Sequence, residues 1–187
     1  VETSSNFGTL GSPPSHPELL DDLAVRFMED GWSVKGLVRQ LVLSSTYRQS
    51  CDSSALKTAK DPGNQWFSRA TRKRLSVEMW RDAIFSAAGN LDLKVGGPSF
   101  EASDAEANRR AVYARISRLK LDPMLALFDH PDPNMHAPGR YESTTALQKL
   151  FAMNHPLMVA QGERLAERLQ QEAPESDVAR IQHACRL

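Results

Sequence analysis

The chain has 187 residues, of which 41% are hydrophobic and 25% are charged, a composition typical of a globular domain and unlike that of a disordered chain. Its 23 basic and 23 acidic residues cancel, so no global field attracts nucleic acid or an anionic membrane, and we expect no nucleic-acid partner. The longest unbroken apolar run, residues 124–128, is far too short to cross a membrane.

The first predicted helix has start and stop signals of its own. Ser15 and Glu18 are spaced as a capping box, and Pro17 suits the first turn, where its missing N–H costs nothing. An apolar stripe at helical spacing follows, formed by Leu19, Leu20, Leu23 and Phe27. The helix is predicted to end at Gly31.

Two further helices are predicted in the first half of the chain. One starts at Ser33, and the polar segment 50–65 after it, which contains Pro62-Gly63, is predicted to be a loop. The next helix starts after Ser76, because Val77, Trp80, Ile84 and Ala87 repeat at helical spacing. Gly89 is suited to the left-handed position that ends such a helix.

The middle of the chain is less regular. Residues 96–99 break the structure, and the acidic, polar segment 101–109 is predicted to be an exposed loop. The alternation over residues 112–116 predicts one short strand, with a helical turn as the alternative. Residues 124–128 are predicted to form a buried turn or a short helix.

The C-terminal third predicts three helices. Residues 143–145 can cap a helix that runs to Met153, residues 154–156 interrupt it, Pro174 ends the next helix, and Ser176 or Asp177 starts the last. The predicted fold is mainly α, a single irregular multi-helix domain over 1–187 with long Pro/Gly-rich loops and at most a minor β element. The chain starts at Val1 without Met and stops inside a predicted helix, so both ends are expected to be cut.

Cys51 and Cys185 are too few for a disulfide scaffold or a zinc site, and no Cys-x-x-Cys-His motif attaches a c-type haem. Two alternatives stay open. The pair forms one bridge in an oxidising compartment, or each cysteine acts as a small apolar residue.

The densest polar cluster lies in the 129–142 loop. Its candidate ligands are Asp129, His130, Asp132, Asn134, His136, Arg140 and Glu142. The carboxylate and amide oxygens are ligands that Ca²⁺ prefers, and the two histidines suit Zn²⁺, although neither an EF-hand nor a zinc motif is present. A sugar contact is another alternative. The favoured interpretation is a proline-stiffened loop whose Asp and Asn side chains cap their own turns.

Four other residues are weaker candidates. His16, next to a helix N-terminus, is a candidate base, and Glu78 and Asp82 are carboxylates at i and i+4 that can divide acid and base roles. Arg81 lies between them, and a structural salt-bridge set with Arg74 or Arg81 is the favoured interpretation of this group.

Aromatic residues offer a binding alternative. Trp32, Trp66 and Trp80 can stack on sugars, but Trp32 and Trp80 occupy positions expected of core anchors. A basic run at 69–74 beside Trp66 and Phe67 can hold nucleic acid or an anionic glycan, although a solvated face fits the zero net charge better. No nucleophile-elbow, P-loop or dinucleotide motif occurs.

Several segments, taken in order, resemble one known family. They are Phe-Gly at 7–8, Pro-Ser-His-Pro-Glu-Leu-Leu-Asp at 14–21, Gly-Trp-Ser-Val-Lys at 31–35, Leu-Ser-Ser-Thr-Tyr-Arg-Gln-Ser at 43–50, Arg-Leu at 74–75 with Glu78 and Arg-Asp-Ala at 81–83, Gly-Gly-Pro-Ser at 96–99, Arg-Arg-Ala-Val-Tyr at 109–113, Leu-Phe-Asp at 127–129, Pro-Asp-Pro-Asn at 131–134, Ser-Thr-Thr-Ala-Leu-Gln at 143–148 and Asn154. This series resembles the planctomycete-type domain of unknown function 1553, also called the PSD-one domain. One departure follows Asn134, where the family often has paired arginines and this sequence keeps only Arg140.

The resemblance implies a C-terminal domain of a large exported bacterial protein, and therefore an extracytoplasmic location. It also implies companion domains in the same parent chain, often with haem c in a cytochrome-like domain, and a link to polysaccharide breakdown. No cofactor is expected in this segment, and the family brings no established catalytic residues.

We therefore expect an accessory, non-catalytic domain that assembles with a companion domain or contacts a polysaccharide. A hydrolytic, metal-dependent enzyme that uses the 129–142 loop is the first alternative. A docking domain for a cytochrome c partner is the second.

Overall fold

The structure is a computed structural model that describes residues 3, 5–6 and 8–187. Phe7, which belongs to the first segment of the resemblance, lies outside the described residues. The chain divides into two compact units, residues 1–73 and residues 74–187. The single domain over 1–187 stays a prediction.

The elements are helical, as the sequence predicts. They are α1 (Pro17–Glu29), α2 (Val34–Leu43), α3 (Ala55–Lys60), α4 (Val77–Ala87), a 3₁₀ helix (Ala111–Tyr113), α5 (Pro123–Leu127), α6 (Ala146–Asn154), α7 (Pro156–Glu172) and α8 (Asp177–Ala184). Across the described residues no strand forms, and the β structure is limited to isolated bridges, Asp92 with Arg109 and Phe100 with Ala114. The mainly α fold is confirmed. None of the helices in the described part of the chain combines the length and apolar composition that a membrane crossing requires.

In residues 1–73, α1 ends as predicted. Gly31 has φ 67°, its N–H donates to Met28 at 3.2 Å, and the N–H of Trp32 donates to Phe27 at 2.9 Å, the paired bonds of a Schellman motif. The predicted capping box of Ser15 and Glu18 is wrong, because Pro17 takes the first helical position and moves the N-cap to His16. The hydroxyl of Ser15 instead lies 3.1 Å from Nδ1 of His16.

The described residues of the same unit form little apolar core. Its buried side chains, among the described residues, are the polar Asp61 and Asn64, and α1, α2 and α3 bury none. Trp32 is 66% exposed, so its predicted role as a core anchor is wrong. The predicted loop over 50–65 is also wrong in part, because Ser54 caps the short helix α3 through the N–H of Lys57 at 3.3 Å.

In residues 74–187, the core forms where α4, α5 and α7 bring apolar side chains together. The buried cluster consists of Val77, Phe85, Ala102, Met124, Leu125 and Leu157, and Trp80, Phe128 and Phe151 pack against it. The prediction of Trp80 as an anchor is therefore confirmed. Ser76 caps α4 and Gly89 ends it at φ 77°, both as predicted.

Two predictions in the middle of the chain are wrong. The alternation over 112–116 gives no strand, because no neighbouring strand pairs with it within the described residues; the 3₁₀ helix forms there, as the alternative stated. The segment 101–109 is not wholly exposed, since Ala102 is fully buried and its carbonyl accepts a hydrogen bond from Arg81.

The C-terminal helices begin and end as predicted. Thr145 and Gln148 form a complete capping box at the start of α6. His155 ends α6 and caps α7, whose first residue is Pro156. Ser176 caps α8 through the N–H of Ala179 at 3.2 Å.

Candidate functional site

The 129–142 loop leaves the end of α5 and returns to the start of α6. Within it, Asp132 accepts from the backbone N–H of Asn134 at 2.8 Å, and the Asn134 side chain donates to the carbonyl of Arg118 at 2.8 Å. An acidic side chain that binds the backbone two residues on closes its own turn. These two candidate ligands are thus committed to the shape of the loop.

Asp129 is the carboxylate of the loop that accepts hydrogen bonds from both the side chain and the backbone of one residue, Ser143. One oxygen accepts from the Ser143 hydroxyl at 2.6 Å, and the other accepts from the Ser143 backbone N–H at 2.9 Å. These bonds from Ser143 lower the pKa of Asp129, with smaller contributions from Gln148 and Arg74. Its φ of 63° lies in the left-handed region, which Asp tolerates better than most residues.

Gln148 and Arg74 complete this cluster. Gln148 is 4% exposed, and its amide nitrogen donates to the carbonyl of Leu127 at 2.9 Å and to the Ser143 hydroxyl at 3.2 Å. Arg74 donates to the Ser143 carbonyl and lies 3.8 Å from the Asp129 carboxylate. The cluster therefore ties the start of α4, the end of α5 and the start of α6 together.

A second cluster surrounds Glu78 on α4. The guanidinium of Arg140 donates to both carboxylate oxygens, at 2.6 Å and 2.8 Å, and Nε2 of His130 lies 3.4 Å from one of them. The other ring nitrogen of His130 donates to the carbonyl of Pro131 at 2.8 Å. Burial works against the ionised form of Glu78, but the hydrogen bonds from Arg140 and from neighbouring groups outweigh it and lower its pKa to about 2.

The pKa of Glu78 gives a testable pH dependence. Its folded value, about 2, lies below the unfolded value of 4.5, so its contribution is fully present above about pH 5 and is lost as the pH falls through about 2. We expect Glu78→Gln to lower the free energy of unfolding by about 2 kcal/mol near neutral pH. This value already allows for the partial exposure of the Glu78 side chain. Urea denaturation at several pH values measures this difference, which shrinks toward zero in acid; a difference independent of pH would contradict the assignment.

The three residues of the predicted salt-bridge set do not bind one another. Glu78 pairs with Arg140, whereas Arg81 and Asp82 bind the backbone of residues 102–111. Arg81 is fully buried, and its nitrogens donate to the carbonyls of Ala102 and Arg109, each at 2.9 Å, and to that of Ala107. Burial lowers the pKa of Arg81. Asp82 accepts from the N–H of Ala111 at 2.7 Å. Arg81 and Asp82 therefore fix the path of residues 102–111.

The remaining loop candidates do not join these clusters. His136 and Glu142 are exposed. In the described ranges, 3, 5–6 and 8–187, no three His, Cys, Asp or Glu side chains lie close enough to share a metal ion. Cys51 and Cys185 are both free and exposed.

His16 lies in residues 1–73, where it stacks on the Phe67 ring at 4.9 Å between ring centroids and meets the Trp66 ring edge-on at 6.4 Å. The backbone of this aromatic group is held by Asp61 and Asn64, which were not among the predicted site residues. The sequence between them, Pro62-Gly63, predicts a tight turn. It does not predict that Asp61 and Asn64 are buried.

The partners of Asp129, namely Arg74, Ser143 and Gln148, were also absent from the predicted site. Gln148 carried a usable signal, because a glutamine three residues after Thr145 predicts a capping box. Its second set of bonds, to the end of α5, joins positions about twenty residues apart and has no local pattern.

Comparison with known families identifies the chain. A family model described as PSD1, Protein of unknown function (DUF1553), matches residues 1–187, the whole length given. Neither the curated proteins nor the solved structures give a significant match. The resemblance found in the sequence is confirmed, and the chain belongs to the PSD1 family of proteins of unknown function, DUF1553.

Proposed function

We propose that this chain is an accessory domain that acts by binding and assembly and not by catalysis. The observation that carries the proposal is that the candidate carboxylates Asp129 and Glu78 are hydrogen-bonded to side chains of the fold. Asp129 accepts hydrogen bonds from Ser143 and Gln148, and the guanidinium of Arg140 donates to both carboxylate oxygens of Glu78.

The electrostatics of the two carboxylates support this proposal. A general acid or base works best when its pKa lies near the operating pH. The pKa of Glu78 is about 2 and that of Asp129 is below its ordinary value, so both are held as ionised hydrogen-bond acceptors. The space beside Asp129 and Arg140 is a cavity of about 200 Å³, smaller than most small-molecule sites.

The surface of residues 1–73 supports a role in assembly. Helices α1 and α2 leave large apolar side chains exposed, among them Leu19, Leu20, Val34, Val38 and Leu41. Val34, Val38 and Leu41 lie at helical spacing on one face of α2, and an exposed apolar face of this kind is typical of interaction sites. The family resemblance implies a companion domain in an exported parent protein, and we propose that this domain covers these helices.

The test is an assay of the purified chain against a panel of polysaccharides and model esters, with and without added Ca²⁺ and Zn²⁺. We expect no turnover above the buffer blank. Reproducible turnover that is lost in Asp129→Asn would overturn the proposal in favour of a hydrolase that uses the 129–142 loop. Turnover that survives in Asp129→Asn would overturn it too, and would place the chemistry elsewhere.

A further inference from the structure

Residues 1–73 contain a groove whose lining differs from the rest of the chain. The cavity is about 490 Å³, within the range of small-molecule sites. Its lining residues are Ser12, Pro13, Pro14, Ser15, His16, Gly63, Asn64, Gln65, Trp66 and Phe67. None of them is Asp, Glu, Lys or Arg, although a quarter of the chain is charged.

The groove presents aromatic rings to solvent. Trp66 is 75% exposed and Phe67 is 44% exposed, so both rings are accessible to a ligand. His16 stacks on Phe67 with an interplanar angle of 24° and meets Trp66 at 88°. The three rings therefore form one continuous aromatic surface in place of three scattered side chains.

The loop that carries the two aromatic residues is fixed by buried polar groups. Asp61 is 7% exposed, and its two oxygens accept from the N–H groups of Gln65 at 2.8 Å and Trp66 at 2.9 Å. Asn64 is 9% exposed and donates to the carbonyl of Arg69 at 2.8 Å. The guanidinium of Arg69 donates back to the carbonyls of Asp61 and Pro62.

Strain in the same loop points to a role beyond packing. Asn64 has φ 52° and Phe67 has φ 50°, a left-handed conformation that is unusual for a bulky aromatic residue. Gln49 holds this conformation by donating to the carbonyl of Phe67 at 2.5 Å. Such strain persists only where the surroundings enforce it, and it concentrates at binding sites. Here it keeps two aromatic rings at the surface of a unit whose described residues bury no apolar side chain.

We propose that this groove binds a neutral glycan. Aromatic faces match the apolar faces of sugar rings, and the hydroxyl groups of Ser12 and Ser15 with the amide of Gln65 can bond sugar hydroxyls. Among the described residues, no cationic side chain lines the groove. This distinguishes the site from one for nucleic acid or an acidic polysaccharide, because such sites require basic groups. The inference deepens the proposed accessory function by naming its ligand class.

The experiment is isothermal titration calorimetry of the full chain with hexasaccharides of cellulose, xylan and mannan, with an oligogalacturonate as the charged counterpart. Trp66→Ala is expected to weaken binding of the preferred neutral hexasaccharide about tenfold, and Trp66→Phe about threefold or less. A tenfold loss corresponds to about 1.4 kcal/mol, which lies within the range of a stacked ring. Trp32→Ala is the matched control, because Trp32 is also an exposed tryptophan of residues 1–73 and does not line the groove. Its affinity is expected to stay within about twofold of wild type.

Three results would overturn the inference. They are no binding of any neutral hexasaccharide, equal losses in Trp66→Ala and Trp32→Ala, and a preference for the oligogalacturonate or for a proline-rich peptide titrated in parallel. Circular dichroism of each variant checks that the fold is retained, as expected for side chains that are mostly exposed. If the groove binds no neutral glycan, the proposed accessory function is unaffected. That function is contradicted by turnover in the activity assay, not by the affinities measured here.

Discussion

Replacing Arg81 by methionine is expected to lower the free energy of unfolding of residues 74–187 by about 4 kcal/mol. The change leaves the buried carbonyl of Ala102 and the partly buried carbonyls of Ala107 and Arg109 without their donors. It also removes a guanidinium that lies over the rings of Phe85 and Phe100, at 4.3 Å and 4.8 Å from their centroids. Arg81→Lys is expected to recover only part of the loss, because three different guanidinium nitrogens donate to the three carbonyls and lysine has a single nitrogen.

Trp80 gives a specific readout of this effect. It packs against the core of residues 74–187, whereas Trp32 and Trp66, the other two tryptophans, belong to residues 1–73. In a background with both replaced by phenylalanine, tryptophan fluorescence during urea denaturation therefore reports on the unit that contains Arg81.

The matched control is Arg164→Met on α7, where the arginine is exposed and a change of less than about 0.5 kcal/mol is expected. If Arg81→Met unfolds with the same free energy as this control, the structural role of the buried guanidinium is wrong.

The second large effect is expected at Asp129. Asp129→Ala removes the acceptor of both bonds from Ser143 and places alanine at φ 63°, which together should cost about 3 kcal/mol. Asp129→Asn should cost less, about 1 kcal/mol, because asparagine tolerates this conformation and keeps one acceptor oxygen.

Asp132→Ala is the control from the same loop. Asp132 is exposed and closes only the local turn to Asn134, so its loss should cost less than about 1 kcal/mol. The same fluorescence-monitored urea titration measures all three variants. Equal losses for Asp129→Ala and Asp132→Ala, seen only when Ca²⁺ or Zn²⁺ is present, would indicate that the two carboxylates share a metal.

Helix ends were predictable because their signals are local. Ser33, Ser76 and Thr145 each cap a helix through bonds to residues three positions on, and Gly89 ends α4 in the conformation that glycine accepts most easily. The helix start at His16 was missed by one residue, because Ser15 and Pro17 each predict a different N-cap and the proline decides it.

The burial of Arg81 was not predictable from its neighbours in the sequence. Charged residues are rarely fully buried. The partners of Arg81 are backbone carbonyls more than twenty positions away, and any residue type can supply a backbone carbonyl, so the sequence does not reveal them. The strand predicted over 112–116 is wrong for a related reason. Alternating apolar and polar residues predict two faces, but a strand also needs a neighbouring strand to pair with.

The candidate site was predictable in part. The turn closed by Asp132 and Asn134 follows from residue types two positions apart and was the favoured interpretation of the loop. The pairs Asp129–Ser143, Glu78–Arg140 and His16–Phe67 join positions 14, 62 and 51 residues apart, so only the folded chain brings them together.

The central claim is that Asp129 and Asp132 of the 129–142 loop stabilise the fold, and the metal content of the protein tests it most directly. Elemental analysis of the purified chain after loading with Ca²⁺ and Zn²⁺ and dialysis against metal-free buffer should find neither ion in stoichiometric amount, in wild type or in Asp129→Asn. One equivalent of either ion in wild type, lost in Asp129→Asn, would contradict the claim and favour the metal-dependent hydrolase.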